Sequence, residues 1–320
     1  MRRWPVFLFV ALLAAQSFGP LPTTAQPNRR IERARALVEQ NRTSAAIRLL
    51  ERHLRRRPTD TDAATLLAGI ALPRSATECL SPDRRTRAAE LLGLLEAASV
   101  GPEHRIWPLA VAGDHREAID RAASRAAPFD PDAAVLLAEL AALSAARHDL
   151  SAAELALRNA HRVHSPRVEL LVDLATVQLA RGRTRLAVRT LRDALSRRPR
   201  DRAIRRELAL ALLADGRPRD ALGICRALRG EGGNSDAGAV GLLYATAALD
   251  AGEIEEAIRA AEANLEERPD AAPALTLATA FLRANRREDA ANAYRIALRR
   301  EPENAQAAAG LAALGGSETP

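Results

Sequence analysis

Small apolar residues recur along this chain behind short polar turns. The phrase appears seven times: NRTSAAI (41–47), GDHREAI (113–119), HDLSAAE (148–154), GRTRLAV (182–188), GRPRDAL (216–222), GEIEEAI (252–258) and NRREDAA (285–291). Each opens on Gly, Asn or His and carries Ala in its sixth place, at Ala46, Ala118, Ala153, Ala187, Ala221, Ala257 and Ala290. From Ala118 onward the spacings are 35, 34, 34, 36 and 33 residues. The first spacing, 72, leaves room for one more copy with a small insertion.

Each position has a physical reading. Gly and Asn most easily take the left-handed backbone that ends a helix, and His148 stands where other copies use them. The charged residues that follow make a short turn. A small Ala on the next helix lets two antiparallel helices approach closely, and a second small position often follows, at Ala160, Ala194 and Ala297. Proline then stops the second helix, at Pro58, Pro199, Pro269 and Pro302. The pattern predicts eight helix–turn–helix units near 27–60, 61–98, 99–133, 134–167, 168–201, 202–237, 238–270 and 271–304. Residues 305–314 (AQAAAGLAAL) read as a lone helix that covers the last unit, because a terminal repeat must hide one apolar face. The insert LPRSATECLSPDRR (72–85) reads as a loop, residues 230–237 as a flexible joint, and residues 315–320 as a disordered tail.

A period near 34 with this turn and these alanines resembles the tetratricopeptide repeat family. The resemblance runs from about residue 27 to 304 and is most complete at Gly182, Ala187, Ala194 and Pro199. It implies an all-α solenoid, wound as a right-handed superhelix of about eight repeats, with units 1–6 in 27–229 and units 7–8 in 238–304. The chain departs from the family in its aromatics, most of which are replaced by Ala and Leu; Tyr244, Phe281 and Tyr294 remain at such places.

Composition supports helices. Hydrophobic residues make up 48% of the 320 residues, but aromatics only 3%, so Ala and Leu carry the apolar content. The net charge is +7 and the sequence pI near 10.7. All 47 basic residues are Arg. A binding site has no reason to exclude Lys from a whole chain, whereas a GC-rich coding sequence does, so the charge carries no argument for a nucleic-acid partner.

The N-terminal stretch MRRWPVFLFVALLAAQSFGPLPTTA has a basic start, an apolar run of ten from Val6 to Ala15, and then small and turn-forming residues. This is the layout of a secretory signal peptide over residues 1–25, cut after Ala25 or after Ser17, or else kept as an N-terminal anchor. The run is shorter than the roughly 20 residues that cross a bilayer. The remainder is expected in the bacterial periplasm or otherwise outside the cytoplasm. Cys79 and Cys225 would there be free to pair, or would serve as two small apolar side chains, Cys225 at a core position.

No phosphate-binding Gly loop, G-x-S-x-G, H-E-x-x-H or paired CxxC occurs. His161 and His164 share a helical face but have no acidic or Cys partner nearby on that helix, so they read as surface imidazoles. Trp107 reads as a core filler beneath the insert. The expectation is a non-enzymatic protein with no cofactor and no metal.

Charge is unevenly spread. Residues 181–206 hold eleven Arg against Asp193 and Asp201, and residues 231–270 hold ten acids against Arg259 and Arg268. Such a dipole would steer a partner or join copies of the chain, or it is simply a solvated outer face. The family resemblance places Arg189, Arg192, Arg197 and Arg198 on the outer, convex side. It places Val172, Thr176, Leu179 and Ala180, then Arg206, Leu210, Leu213 and Ala214, then Leu242, Thr246, Leu249 and Asp250, then Leu275, Thr279, Leu282 and Arg283 along the concave groove. Relatives that grip a C-terminal carboxylate use Lys, Arg and Asn there, and only Arg206 and Arg283 come close. A Leu/Thr groove suits an amphipathic helix or extended apolar segment. The expected function is therefore a protein-binding scaffold or assembly factor of the cell envelope, touching a membrane only through its signal peptide. The alternative is a component of envelope polysaccharide assembly or export, holding an anionic polymer on its basic convex surface.

Overall fold

The computed structural model describes residues 28–72, 82–164, 166–231 and 237–315. Among them the regular elements are helices. They follow the chain as α1 (Arg29–Glu39), α2 (Thr43–Leu54), α3 (Thr61–Ile70), α4 (Pro82–Ala97), α5 (Ile106–Ala112), α6 (His115–Arg125), α7 (Pro131–Ala146), α8 (Leu150–Val163) and α9 (Val168–Ala180). They continue as α10 (Thr184–Arg197), α11 (Arg202–Ala214), α12 (Pro218–Gly230), α13 (Ala237–Ala251), α14 (Ile254–Glu267), α15 (Ala272–Arg283), α16 (Arg287–Arg300) and α17 (Ala305–Gly315). A short 3-10 turn, Pro102–Arg105, precedes α5. The architecture is that of an all-α solenoid of helix pairs.

The recurring phrase has one structural meaning throughout. All seven opening residues, Asn41, Gly113, His148, Gly182, Gly216, Gly252 and Asn285, have φ between 60° and 126°. In every copy the next residue's N–H donates to the carbonyl five places back, at 2.8–3.0 Å: Arg42 to Leu37, Asp114 to Leu109, Asp149 to Ser144, Arg183 to Gln178, Arg217 to Leu212, Glu253 to Ala248 and Arg286 to Phe281. This bond satisfies one of the orphan carbonyls of the first helix and turns the chain into the second. The seven sixth-place alanines are all fully buried, as are Ala160, Ala194 and Ala297. His148 takes the place of glycine while carrying a Cβ, which strains a left-handed residue. His148→Gly is therefore expected to stabilise the fold by about 0.5–1 kcal/mol after the entropy cost of glycine, read as a rise in melting temperature.

Packing divides the chain into two compact units, Met1–Val177 and Gln178–Pro320, so the division falls inside α9. In the first unit, Leu50, Leu67, Leu91, Ile119, Leu137 and Leu140 sit in one continuous core with essentially no exposure. Trp107 belongs to that core, as a filler. His115 is buried there, with its Nδ1 3.2 Å from the Ser144 hydroxyl, which donates to the Leu140 carbonyl. Arg147 reaches from the end of α7 to the end of α5, donating to the Val111 carbonyl at 2.7 Å. In the second unit the same device closes α14: the Arg300 guanidinium donates to the carbonyls of Leu265 (2.6 Å) and Arg268 (2.8 Å). A cation at a helix C-terminus meets both the open carbonyls and the negative end of the dipole.

One local expectation changes in detail. Residues 82–85 of the insert form the first turn of α4, because Pro82 stands at the helix start, where its missing N–H and fixed φ cost nothing. Residues 73–81, and Cys79 with them, lie outside the described residues, as do the signal segment 1–25, most of the joint (232–236) and the tail 316–320. Cys225 is fully buried, and burial pushes its thiol up to about 12. The terminal helix α17 lies on α16, and Gly310 faces the Tyr294 ring so closely that a Cβ there would overlap it.

Candidate partner-binding groove

The groove positions are carried by the first helix of each pair. In the second unit these are α11, α13 and α15, with Leu179 on the last turn of α9; α11 packs beside α13, and α13 beside α15. Val172 and Thr176 belong to the first unit, where both are half-buried on α9.

The structure sorts the second-unit candidates by exposure. Leu179, Arg206, Leu213, Leu242, Thr246, Leu275 and Thr279 are half-buried. Leu210 is 42% exposed and Leu282 39% exposed. Among the described residues, the large apolar side chains that stand exposed are these two and Phe129. Leu249 is only 5% exposed, so it supports the packing of α13 and offers little surface to a partner.

The threonines are spoken for. The Thr176 hydroxyl donates to the Val172 carbonyl at 3.0 Å, Thr246 to Leu242 at 2.9 Å and Thr279 to Leu275 at 2.9 Å. Each bond runs to the carbonyl four residues back on the same helix. Each hydroxyl has thereby used its one proton and keeps acceptor capacity only.

The two cations of the groove are committed as well. Arg283 donates to the Leu249 carbonyl at 2.5 Å and stands 3.7 Å from Asp250, closing the end of α13 as Arg147 closes α5. Arg206 stands 3.3 Å from Glu207. Neither is arranged as an open clamp for a carboxylate. The sequence alone did not mark Arg283 as a stitch between helix ends; its only signal was its place just before the turn at Asn285.

Helix α12 is joined to the next pair, α13 and α14, by a polar cluster. Arg226 of α12 donates to Glu256 of α14 at 3.0 Å, and the Tyr244 hydroxyl of α13 donates to the same carboxylate. The guanidinium, then the phenol, holds the Glu256 carboxyl down at about 2. Arg229 lies over the Tyr244 ring, 4.6 Å from its centre.

His161 lies in the last turn of α8 and His164 follows the helix; both are half-buried. Among the described residues no group of three His, Cys, Asp or Glu is placed to hold a metal ion.

Family comparison agrees with this architecture. Tetratricopeptide repeat models match residues 27–70, 172–236 and 275–315. No curated protein matches the chain. Solved structures that resemble it include a thermophilic tetratricopeptide protein of Thermus thermophilus, with 20% identity over 57% of this chain and 98% of that one and a TM-score of 0.46. MamA from Desulfovibrio magneticus has 17% identity over 54% of this chain and 97% of that one, with a TM-score of 0.49. YrrB, described as a tetratricopeptide protein with an unusual peptide-binding site, has 16% identity over 62% of this chain and 97% of that one, with a TM-score of 0.46. The matched repeats, the seven left-handed turns and the buried alanines agree: this chain carries tetratricopeptide repeats.

Proposed function

We propose that this chain is a non-catalytic scaffold or assembly factor that holds a peptide or helix of another protein in the groove formed by α11, α13 and α15. Arrays of this kind present long surfaces rather than enclosed reaction sites, because each repeat contacts only its neighbours. The observation that carries the reading is the exposure of Leu210 and Leu282 at groove positions, with the hydroxyls of Thr246 and Thr279 donating to their own helices. Exposed leucines beside threonines whose donors are already used fit the apolar face of an amphipathic segment. Binding should then depend little on salt.

A photo-crosslinking residue at Thr279 should capture a partner from envelope extract. Adding Leu210→Glu with Leu282→Glu should cut that capture at least tenfold and leave helicity and melting temperature unchanged, since both sites are solvent-facing. Undiminished capture would remove the groove from consideration. Leu249→Glu is unsuitable for this test, because it would bury an unpaired charge.

Export is part of the proposal and rests on the layout of residues 1–25. Among the described residues no helix is long and apolar enough to cross a membrane. A β-lactamase fused after Ala25 should protect cells against a β-lactam, and loss of protection on Val6→Asp with Leu8→Asp would be the matching control. A fusion that never leaves the cytoplasm would end this part of the reading.

A further inference from the structure

One copy of the repeat departs from its sister copies at two touching places. Seven residues after the recurring Ala, three other copies carry a fully buried alanine, at Ala160, Ala194 and Ala297; the copy made by α13 and α14 carries Asn264. Sixteen residues before the recurring Ala, the same three copies carry Leu137, Leu171 and Ala274; this one carries Gly241. The two residues meet. A Cβ on Gly241 would stand 2.5 Å from Asn264 Nδ2 and 3.1 Å from its Cγ, so the glycine leaves the room that the amide fills. Glycine inside a helix and a buried amide short of a partner both cost stability.

Asn264 is 1% exposed and only half satisfied. Its Nδ2 donates to the Gly238 carbonyl at 2.9 Å, which fixes the orientation of the amide. Its Oδ1 is buried and accepts from no group among the described residues. The side chain lines a cleft of about 210 Å³, where the starts of α11 and α13 meet the ends of α12 and α14. At roughly 30 Å³ per water this is room for about seven waters, the bulk of a small metabolite rather than a peptide.

Three kinds of chemistry face the cleft. Val240, Ala260 and Ala263 give it an apolar wall. Glu267 follows Asn264 by one turn on α14, and its Oε2 lies 3.6 Å from the point where a Gly241 Cβ would stand. The last turn of α14 carries no basic residue. Arg229 brings a guanidinium, held over the ring of Tyr244, one turn along α13 from Gly241. Arg202, also at the cleft, is committed to the Leu228 carbonyl at 2.6 Å. Charges outside ion pairs are common in this unit and carry nothing alone; here both signs line the cleft that holds the half-satisfied amide.

We infer that this cleft binds a free α-amino acid with a short apolar side chain. The ammonium group donates to Asn264 Oδ1 and to Glu267, at the negative end of the α14 dipole. The carboxylate takes the Arg229 guanidinium, and the side chain lies against Val240 and the two alanines. A simple anion would face Glu267, an apolar molecule would leave Oδ1 without a donor, and a calcium-like cation would find too few oxygens. None of the lining residues is a groove position, so amino acid and peptide can be held at once.

Calorimetric titration of the full chain with L-alanine and L-valine is the test. At least one should bind with a dissociation constant below about 1 mM. Isovalerate, which lacks the ammonium, and valinamide, which lacks the carboxylate, should bind at least tenfold more weakly. Asn264→Ala should weaken binding at least tenfold without lowering the melting temperature, because it restores the alanine of the other copies. Glu267→Gln and Arg229→Gln, both at exposed positions, should each weaken binding and leave melting unchanged. Absence of binding by both amino acids at about 10 mM would overturn the inference, as would isovalerate or valinamide binding as well as valine. Full binding by Asn264→Ala would make the amide a structural feature only. Should that variant fail to fold, undiminished binding by Glu267→Gln would be equally decisive against the site.

Discussion

Asp173→Asn should stabilise this protein at pH 8, by up to about 3 kcal/mol, and should do almost nothing at pH 4. Asp173 lies on α9, and burial, then the neighbouring Glu169, raises its carboxyl from 3.8 to about 6; Arg167 pulls weakly the other way. The folded state therefore binds this proton more tightly than the unfolded chain does. The sign follows from that difference. Above about pH 6 the native carboxylate is ionised in a place that disfavours charge, and the whole cost is present. As pH falls from 6 towards 4 the native group takes up its proton and the cost disappears. Other carboxylates act in the opposite sense: Glu256, lowered from 4.5 to about 2, contributes stability that is lost as pH falls from 4.5 towards 2. The measurement is thus a difference, variant against parent, in melting temperature from pH 4 to pH 8. A constant offset across that range would mean that Asp173 is not the source.

Ala187→Leu should cost about 1–3 kcal/mol, while Ala227→Leu on the outer face of α12 should cost less than about 0.5 kcal/mol. Ala187 has no exposed surface and sits in the second helix of the most regular repeat, where α10 meets its neighbours. Three added carbons must either take a strained rotamer or push the helices apart. Ala227 is exposed, so the same atoms enter solvent. The pair separates close packing from helix propensity, which is nearly equal for Leu and Ala. Equal melting shifts for the two variants would show that the recurring alanine is not set by helix approach.

These predictions draw on different kinds of information. The repeat was legible because its causes are local. A residue with φ near 60° must be Gly, Asn or a strained exception, and the chain writes that requirement seven times, including His148. The buried alanines were legible because any larger residue would separate the helices. Export, by contrast, rests on residues outside the described ones and stands on the sequence alone.

The candidate groove was legible only as a set of positions, and it remains a proposal. Sequence could place Leu210, Leu249 and Leu282 on first helices, but not say that the first and last stand exposed while Leu249 is packed away. It could count threonines but not turn their hydroxyls onto their own helices. It could find an Arg-rich chain, yet not tell Arg283, committed to a carbonyl, from Arg189, which has no ion pair among the described residues. The division into two compact units inside α9, rather than at the Gly-rich stretch near 232, had no sequence signal at all.

The sequence by itself determined where each helix stops and which side chain must be small, because backbone sterics and close approach act within a few residues. Only the tertiary structure decided which charges are used up and which remain, and which apolar side chains face water. Those outcomes depend on groups about thirty residues away along the chain, such as Arg226 with Glu256 and Arg283 with the Leu249 carbonyl, that meet only once the repeats stack.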